Sequence, residues 1–412
     1  MDRVVAPKAM LTVHMKFVTR FALLGAGILC GSFSLAEEPT ELVQRALKSR
    51  DSVKASMILL EAARRTSSSL GALPATRLEF GSGTRPDVNG GEDLTLFQPI
   101  DIFGKARVAR AGGQAGVRVA EATLRQTKID VQLEVLTAIS SWSSATRNLA
   151  TARDQLELTR QLARVTKARV DVRALPELQL TRVSLEVQRA EQVVIDRHAS
   201  VESARLKLNQ VVGGFSSELT SPSLQGLELA SSNPEQNRPE LLLLTSQRSG
   251  FLADEKSAKL SALPDFELQG RRSPWATPEQ YGIRFQFVVP LWDHGVSRNR
   301  AAAAQRQADA TSLQYSDAAK RIAVEIESAS IALAAAKKSL TAYTNLAAGV
   351  KELMDKTQRG FELGANSLID VLDAKRAYSD ATEQLSAALL AVDLAIAESL
   401  RSQGQILGEP SR

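Results

Sequence analysis

Apolar positions in the second half of the chain recur in alternating steps of four and three. Ile322, Ile326, Ala329, Leu333, Ala336, Leu340, Tyr343 and Ala347 form one such stripe; Val371, Ala374, Tyr378, Ala381, Leu385, Ala388, Val392 and Ala395 form another. A mean spacing of about 3.5 predicts helices wound around a partner along a narrow seam. No proline occurs from Leu291 to Glu409. The stripes are separated only by Gly360 to Ser367, which carries loop chemistry. The pattern therefore predicts a long antiparallel helical hairpin.

The hairpin occurs twice. The same stripe stands 191 residues earlier, at Val131, Val135, Ala138, Trp142, Ala145, Leu149, Ala152 and Leu156, with a return stripe at Leu180, Val183, Val187, Ala190 and Val194. The punctuation matches at that offset as well: Pro99 with Pro290, Gly104 with Gly295, Arg107 with Arg298, Glu134 with Glu325, Gly213 with Gly404. Two unrelated alanine-rich coiled coils would share the rhythm but not these marks, so the register points to an internal duplication. No glycine occurs from Val117 to Val212, which fits a continuous rod outside the turn at Pro176.

Each hairpin is preceded by a helix and two short alternating runs. In the first copy a single helix is expected from Thr40 to Ser69, then Leu78 and Phe80 alternate with Glu79 and Gly81, and Leu94 and Leu96 with Asp93 and Thr95. In the second, a helix from about Pro239 to Leu260 precedes Phe266 and Leu268, then Ile283, Phe285, Phe287 and Val289. Period-two runs with polar residues between them fit a half-buried sheet of a soluble domain, or a barrel wall with lipid on one side and water on the other.

The start of the chain bears on that choice. Lys16 and Arg20, the apolar stretch Phe21 to Leu29, and Ser34-Leu35-Ala36 before Glu37 read as an export signal, with Met15 as the expected natural start. Cys30, the one cysteine, lies inside it after Gly27-Ile28-Leu29, a poor lipidation box, and reads as inert. No later stretch reaches the roughly 20 apolar residues of a membrane helix. An exported chain of this kind would cross a bilayer only through strands. Four strands fall short of the roughly eight that close a barrel, so identical chains would have to share one.

The domain reading is therefore a signal peptide over 1–36, a first repeat over 37–225 and a second over 226–412. The first holds a helix, strands at about 76–99 and a hairpin at about 104–213. The second holds a helix, strands at about 265–290, a hairpin at about 295–404 and a short loose tail. Composition agrees: 5% of residues are aromatic, which suits long rods with thin seams. The formal charge of +5 falls to near +2 without residues 1–36, and the remaining cations are interspersed with acids, which disfavours nucleic acid as a partner. No phosphate loop or nucleophile elbow occurs, and His14, His198 and His294 lack a second histidine at metal-ligand spacing. No catalytic, cofactor or metal residues are therefore expected, and His294 beside Gly295 reads as a turn residue.

Four stretches carry a resemblance: Gln98-Pro99-Ile100-Asp101-Ile102-Phe103-Gly104-Lys105-Ala106-Arg107, Asn237-Arg238-Pro239-Glu240-Leu241, Val289-Pro290-Leu291-Trp292-Asp293-His294-Gly295, and Leu363-Gly364-Ala365-Asn366-Ser367-Leu368-Ile369-Asp370-Val371-Leu372-Asp373-Ala374. With the duplicated layout, the chain resembles the outer membrane efflux protein family, the exit ducts of bacterial tripartite exporters. The resemblance implies a mainly α fold with a small β part. It also implies a homotrimer with a 12-stranded barrel in outer-membrane lipid, continued by a periplasmic helical tunnel. Its far end would meet an adaptor protein and an inner-membrane pump. The Phe103-to-Arg107 stretch resembles the subgroup serving heavy-metal or small-cation pumps.

The resemblance further implies that Asp370 and Asp373 face the lumen near a closed tip, as carboxylate rings that favour cations. The tip turns, with Arg173, Leu175, Pro176, Gly364, Ala365, Asn366 and Ser367, would meet the adaptor. Three departures stand out: Phe361 lacks an expected aromatic hydroxyl, Asn366 stands where an arginine is common, and Val172-Arg173-Ala174-Leu175-Pro176-Glu177 lacks the usual glycine. A different closing bond is then expected, Arg173 or Arg182 to Asp370 or Asp373. A periplasmic coiled-coil adaptor or scaffold is the alternative function, although such proteins carry one hairpin rather than two.

Overall fold

In a computed structural model the described residues form seven helices of 11 to 68 residues and one four-stranded sheet. The structure describes residues 38–409 except 73–74, 86–87, 215–223, 228–236 and 274–279. The expected export signal, with Met15 and Cys30, lies outside the described residues, as does most of the linker from Pro222 to Pro234.

The first repeat runs α1 (Pro39–Ser49), α2 (Asp51–Leu70), β1 (Arg77–Arg85), β2 (Val88–Ile100), α3 (Lys105–Asp171) and α4 (Glu177–Val212). A single helical turn at Leu224–Gly226 follows. The second repeat runs α5 (Pro239–Leu260), β3 (Asp265–Ser273), β4 (Gln280–Val288), α6 (Val296–Leu363) and α7 (Leu368–Gln403). The outgoing rods α3 and α6 have 67 and 68 residues, about 100 Å each at about 1.5 Å per residue. Each return helix, α4 or α7, has only 36. The remaining length of α3 packs on α2 and that of α6 on α5, while α5 and α7 also reach α3 and join the repeats.

The seams are where the periodicity places them. Val131, Val135, Ala138, Ile322, Ala329, Leu333, Val371, Ala381 and Val392 are buried, and the remaining seam positions are buried or half-buried. One cluster at mid-length gathers α1, α3, α4, α7 and Leu224 around Leu136 and Ile139; a second at the turn end gathers both hairpins around Phe361.

Three local expectations are corrected. The helix expected from Thr40 to Ser69 breaks at Arg50, whose backbone is extended (ψ 128°), leaving α1 and α2. No glycine or proline marks that break. It serves tertiary packing: Leu42, Val43 and Ala46 of α1 enter the mid-length cluster, and Arg50 reaches Glu134 of α3 at 2.6 Å. Gly360, expected to open the turn, lies inside α6, which continues to Leu363. A Cβ on Gly360 would stand 2.4 Å from the amide nitrogen of Asn366, so that glycine serves close approach rather than a bend. The tail after Gly404 is docked, not loose. The buried Gln132 amide donates to Gln405 O at 2.8 Å and accepts from Leu407 N at 2.7 Å, while Ile406 is buried and Lys128 pairs with Glu409 at 2.6 Å.

Both rods start at a carboxylate, Asp293 lying one residue later than the repeat position of Asp101. Asp101 accepts the N–H groups of Lys105 (2.7 Å) and Ala106 (2.9 Å), and Asp293 those of Gly295 (2.9 Å) and Ser297 (3.0 Å). Each carboxylate satisfies donors that a helix start leaves open. Gly104 (φ 73°), His294 (φ 48°) and Gly295 (φ 79°) take the left-handed conformations that turn strand into rod.

The return helices are fastened by related devices. In the second repeat the buried Arg238 donates to Arg401 O and Ser402 O at the end of α7 and pairs with Glu240 and, at 2.8 Å, with Glu325. In the first, Ser49 donates to Val212 O at 3.1 Å and Arg50 pairs with Glu134, the repeat counterpart of Glu325.

Candidate functional site

The sheet order is β1-β2-β3-β4, antiparallel throughout, with β2 against β3 joining the repeats. Register sorts its side chains onto two faces. Leu78, Leu96, Gly270 and Ile283 align across the strands; Leu268 and Phe285 stand in the next aligned row, and Ile100, Phe266 and Phe287 in the one after. Arg77, Phe97, Gln269 and Arg284 align on the other face, beside a row of Glu79, Thr95, Arg271 and Gly282. The apolar face is open: Phe80 is 78% exposed, Ile283 85% and Phe287 63%. Apolar side chains that nothing among the described residues covers mark a surface that meets lipid or protein. Among the described residues, strands β1 and β4 have no outer neighbour, so the sheet ends in two open edges.

Where strand gives way to rod, Phe103 meets Phe266 (centroids 5.8 Å apart) and Phe266 meets Phe287 (6.3 Å). Trp292 stands 81% exposed at the second junction. Among the described residues no helix is long and apolar enough to span a membrane. No group of three or more His, Cys, Asp or Glu there comes together as a metal cage.

At the opposite end of the rods the two turns occupy equivalent positions. Gly364 caps α6 in the left-handed region (φ 87°), and its repeat counterpart Arg173 adopts the same conformation (φ 61°) without being glycine. Asn366 donates to Thr357 O at 3.1 Å. Ser367 and Asp370 form a reciprocal cap: Asp370 N reaches Ser367 Oγ, and Ser367 N and Oγ donate to Asp370 Oδ2 at 2.9 and 2.7 Å. The Ser367 hydroxyl, and then its backbone N–H, hold the Asp370 carboxyl below the usual carboxylate range.

Asp370 and Asp373 are both exposed, on the side of α7 away from Leu368, Val371 and Ala374. Asp373 pairs with Arg376 at 3.5 Å, one turn along its own helix. Among the described residues the expected bonds from Arg173 or Arg182 to Asp370 or Asp373 are not made. Arg182 is the repeat counterpart of Asp373 and lies on α4, whereas Asp373 finds its partner on α7 and Asp370 on Ser367, the residue that caps it. Phe361, expected only as a missing hydroxyl, is buried at the centre of the turn-end cluster, with the Arg169 guanidinium 4.9 Å from its ring centroid. Leu175 packs partly against that cluster. The sequence reading passed over the exposed apolar residues flanking the turns: Val172, Leu178, Leu363 and Ile369. Their signal is that they lie off the seam beside a turn.

The model of the family "Outer membrane efflux protein" matches residues 42–214 and 231–402, one segment per repeat. The cobalt-zinc-cadmium resistance protein CzcC of Cupriavidus metallidurans is 26% identical over 68% of this chain and 68% of its own. The nickel-cobalt-cadmium resistance protein NccC of Alcaligenes xylosoxydans xylosoxydans is 25% identical over 56% of this chain, which spans only 55% of that relative. Outer membrane protein TolC of Escherichia coli is 22% identical over 63% of this chain and 59% of its own. Among solved structures, the open-state MtrE outer membrane channel of Neisseria gonorrhoeae superposes with a TM-score of 0.77 at 16% identity, covering 91% of each chain. CusC does so with 0.76 at 13% identity, covering 90% of this chain and 93% of that one. The fold is thus that of the outer-membrane channels, and the match across both repeats leaves one conclusion: the chain belongs to the outer membrane efflux protein family.

Proposed function

We propose that this chain is one third of a passive exit duct. Three copies join at the open edges of β1 and β4 to close a barrel through the outer membrane, and their hairpins continue it as a periplasmic tunnel. The carrying observation is the sheet itself: among the described residues it is apolar and uncovered on one face, polar on the other, unpaired at both edges, and fused to rods of about 100 Å. A periplasmic scaffold has no use for that uncovered face.

The turn end meets an adaptor, which collects cargo from an inner-membrane pump. Val172, Leu178, Leu363 and Ile369 offer the adaptor apolar contacts beside Arg173, Pro176, Gly364, Ala365, Asn366 and Ser367. The cargo class is a heavy-metal cation, a reading supported by the likeness to CzcC and NccC. Asp370 and Asp373, both exposed near the tip, supply carboxylate rings that favour such cations without holding them.

Membrane fractionation and planar-bilayer recording test this reading together. The expected result is a heat-modifiable trimer in the outer membrane whose Asp370→Ala/Asp373→Ala variant shows raised single-channel conductance or altered divalent-cation block. A soluble monomer without channel activity would refute the duct, and an unchanged variant would refute the carboxylate rings alone.

A further inference from the structure

The two rods are repeat counterparts with unequal company. Among the described residues α3 packs against α2, α4, α5 and α7, whereas the extensive contacts of α6 are with α5 and α7. The shift of 191 residues that carries α3 onto α6 relates α5 to α2 and α7 to α4. Within one chain α2 and α4 pack on α3, so the matching flank of α6 stays open. That flank is apolar. Val324, Ile331, Ala335, Ala342, Leu346 and Leu353 recur in alternating steps of seven and four and all stand exposed. An 11-residue repeat keeps such residues on one side of a nearly straight helix. Ile331 is 63% exposed, while its counterpart Ser140 on α3 is 0% exposed. The helices that would face it show the same contrast. Leu206 of α4 is 63% exposed and its counterpart Ala397 of α7 only 1%. Ile58 of α2 is exposed, while its counterpart Ser249 of α5 accepts from Arg118 of α3 at 3.3 Å. Serine or alanine in the covered contact is thus isoleucine or leucine on the open faces, the reverse of what a solvated surface selects.

Charge follows the same correspondence. Within the chain, Arg147 of α3 faces the buried Asp393 of α7 at 3.9 Å. Their counterparts are Lys338 on α6 and Glu202 on α4, with both signs kept. Lys338 is exposed, and Glu202 meets only Arg205 of its own helix, at 2.9 Å. We infer that α6 of one copy packs between α2 and α4 of the next, and that Lys338 there pairs with Glu202 of the next copy. A second copy of this chain is the occupant because the repeat itself supplies the matching surface, apolar and acidic positions in register. The inference rests on the duct reading for the number of copies. To closure at the strand edges it adds closure along the rods, in which α6 of each copy gains the neighbours that α3 already has.

Cysteine bridging and charge exchange in the full chain test this. Gln155 and Ser379 meet at 3.2 Å within the chain, and their counterparts are Leu346 on α6 and Gln188 on α4. Leu346→Cys/Gln188→Cys, with Cys30→Ser as background, is oxidised or treated with a short bis-maleimide in the outer-membrane fraction. A covalent trimer in SDS is expected, and neither single-cysteine variant should give one. Separately, Lys338→Glu should lower the temperature at which the heat-modifiable trimer dissociates, and Lys338→Glu/Glu202→Lys should restore it. A trimeric channel whose two cysteines do not join, or join only to a protein other than this chain, would overturn the rod contact while leaving the duct standing. Bridging without rescue by charge exchange would overturn the ion pair alone. A wild-type chain that stays monomeric would overturn the duct and the rod contact with it.

Discussion

The guanidinium of Arg169 lies 4.9 Å from the centroid of the Phe361 ring, so the last turns of the two outgoing rods are stacked on each other at the tip. Phe361 is also the hub of the turn-end cluster, with Leu162, Val183, Met354, Leu368 and Val371 around it. Phe361→Ala should remove about 3–5 kcal/mol of local stability and leave the mid-length cluster intact. Hydrogen exchange should accelerate across both turns but not around Leu136. Arg169→Gln should have the same pattern at a fraction of the size, since a cation over a ring contributes about 0.5–2 kcal/mol.

Arg173 holds a left-handed backbone (φ 61°) that its counterpart Gly364 adopts without a side-chain penalty. Arg173→Gly should therefore stabilise the first turn by about 1 kcal/mol, because a Cβ in that region costs about that much. A rise in the denaturation midpoint, or slower exchange at the turn amides, checks this. A drop would mean that the Arg173 side chain contributes more than its backbone strain removes.

The two arginine–glutamate clamps should differ in weight. Arg238 is 3% exposed and answers two carboxylates and two helix-end carbonyls, whereas the Arg50 and Glu134 side chains are 27% and 43% exposed. Arg238→Ala should cost about 3–5 kcal/mol by leaving Glu325 and the end of α7 short of partners. Arg50→Ala should cost at most about 1 kcal/mol. Chemical denaturation of the two variants side by side reads the contrast.

Asp393 of α7 is buried opposite Arg147 of α3, with 3.9 Å between carboxylate and guanidinium. Burial pushes its carboxyl above the usual range, and the pull of Arg147 and a backbone hydrogen bond to Leu224 only partly oppose that. The folded chain therefore holds a proton that the unfolded chain has already released. The resulting stabilisation is complete below the ordinary carboxylate value, about 4, and disappears as pH rises through the higher folded value. Asp393→Asn should raise the melting temperature at neutral pH, and the gain should shrink on acidification toward pH about 4. A gain that does not change with pH would show that the charge is not what matters there.

The elements with many repeated signals were legible in advance. Rod lengths, seam positions and the strand faces each rest on a dozen or more residues in phase, and a duplicated chain states them twice. Features fixed by a single distant partner were not. Arg50 breaks a helix because Glu134 and the mid-length cluster require it, and nothing beside Arg50 announces that. Gln132 reads as one more polar residue on a rod until the tail backbone is found bonded to both ends of its amide. Gly360 looks like a turn because glycine has two uses, room and flexibility, and the sequence does not distinguish them. At the tip, the motif located Asp370 and Asp373 but not their local partners, since an i,i+3 neighbour competes with any cross-helix arginine and lies nearer.

The carboxylates of Asp101 and Asp293 act as phase markers between two lattices, one repeating every two residues and the other about every 3.6. One residue inserted between Ile100 and Asp101 would leave strand and rod individually intact. It would nonetheless rotate everything below by about 100° about the rod axis and face the alanine seam outward. The sheet and the rods are thus linked through one carboxylate per repeat, four residues before Lys105 in one junction and three before Val296 in the other, so each junction sets the phase of its own rod.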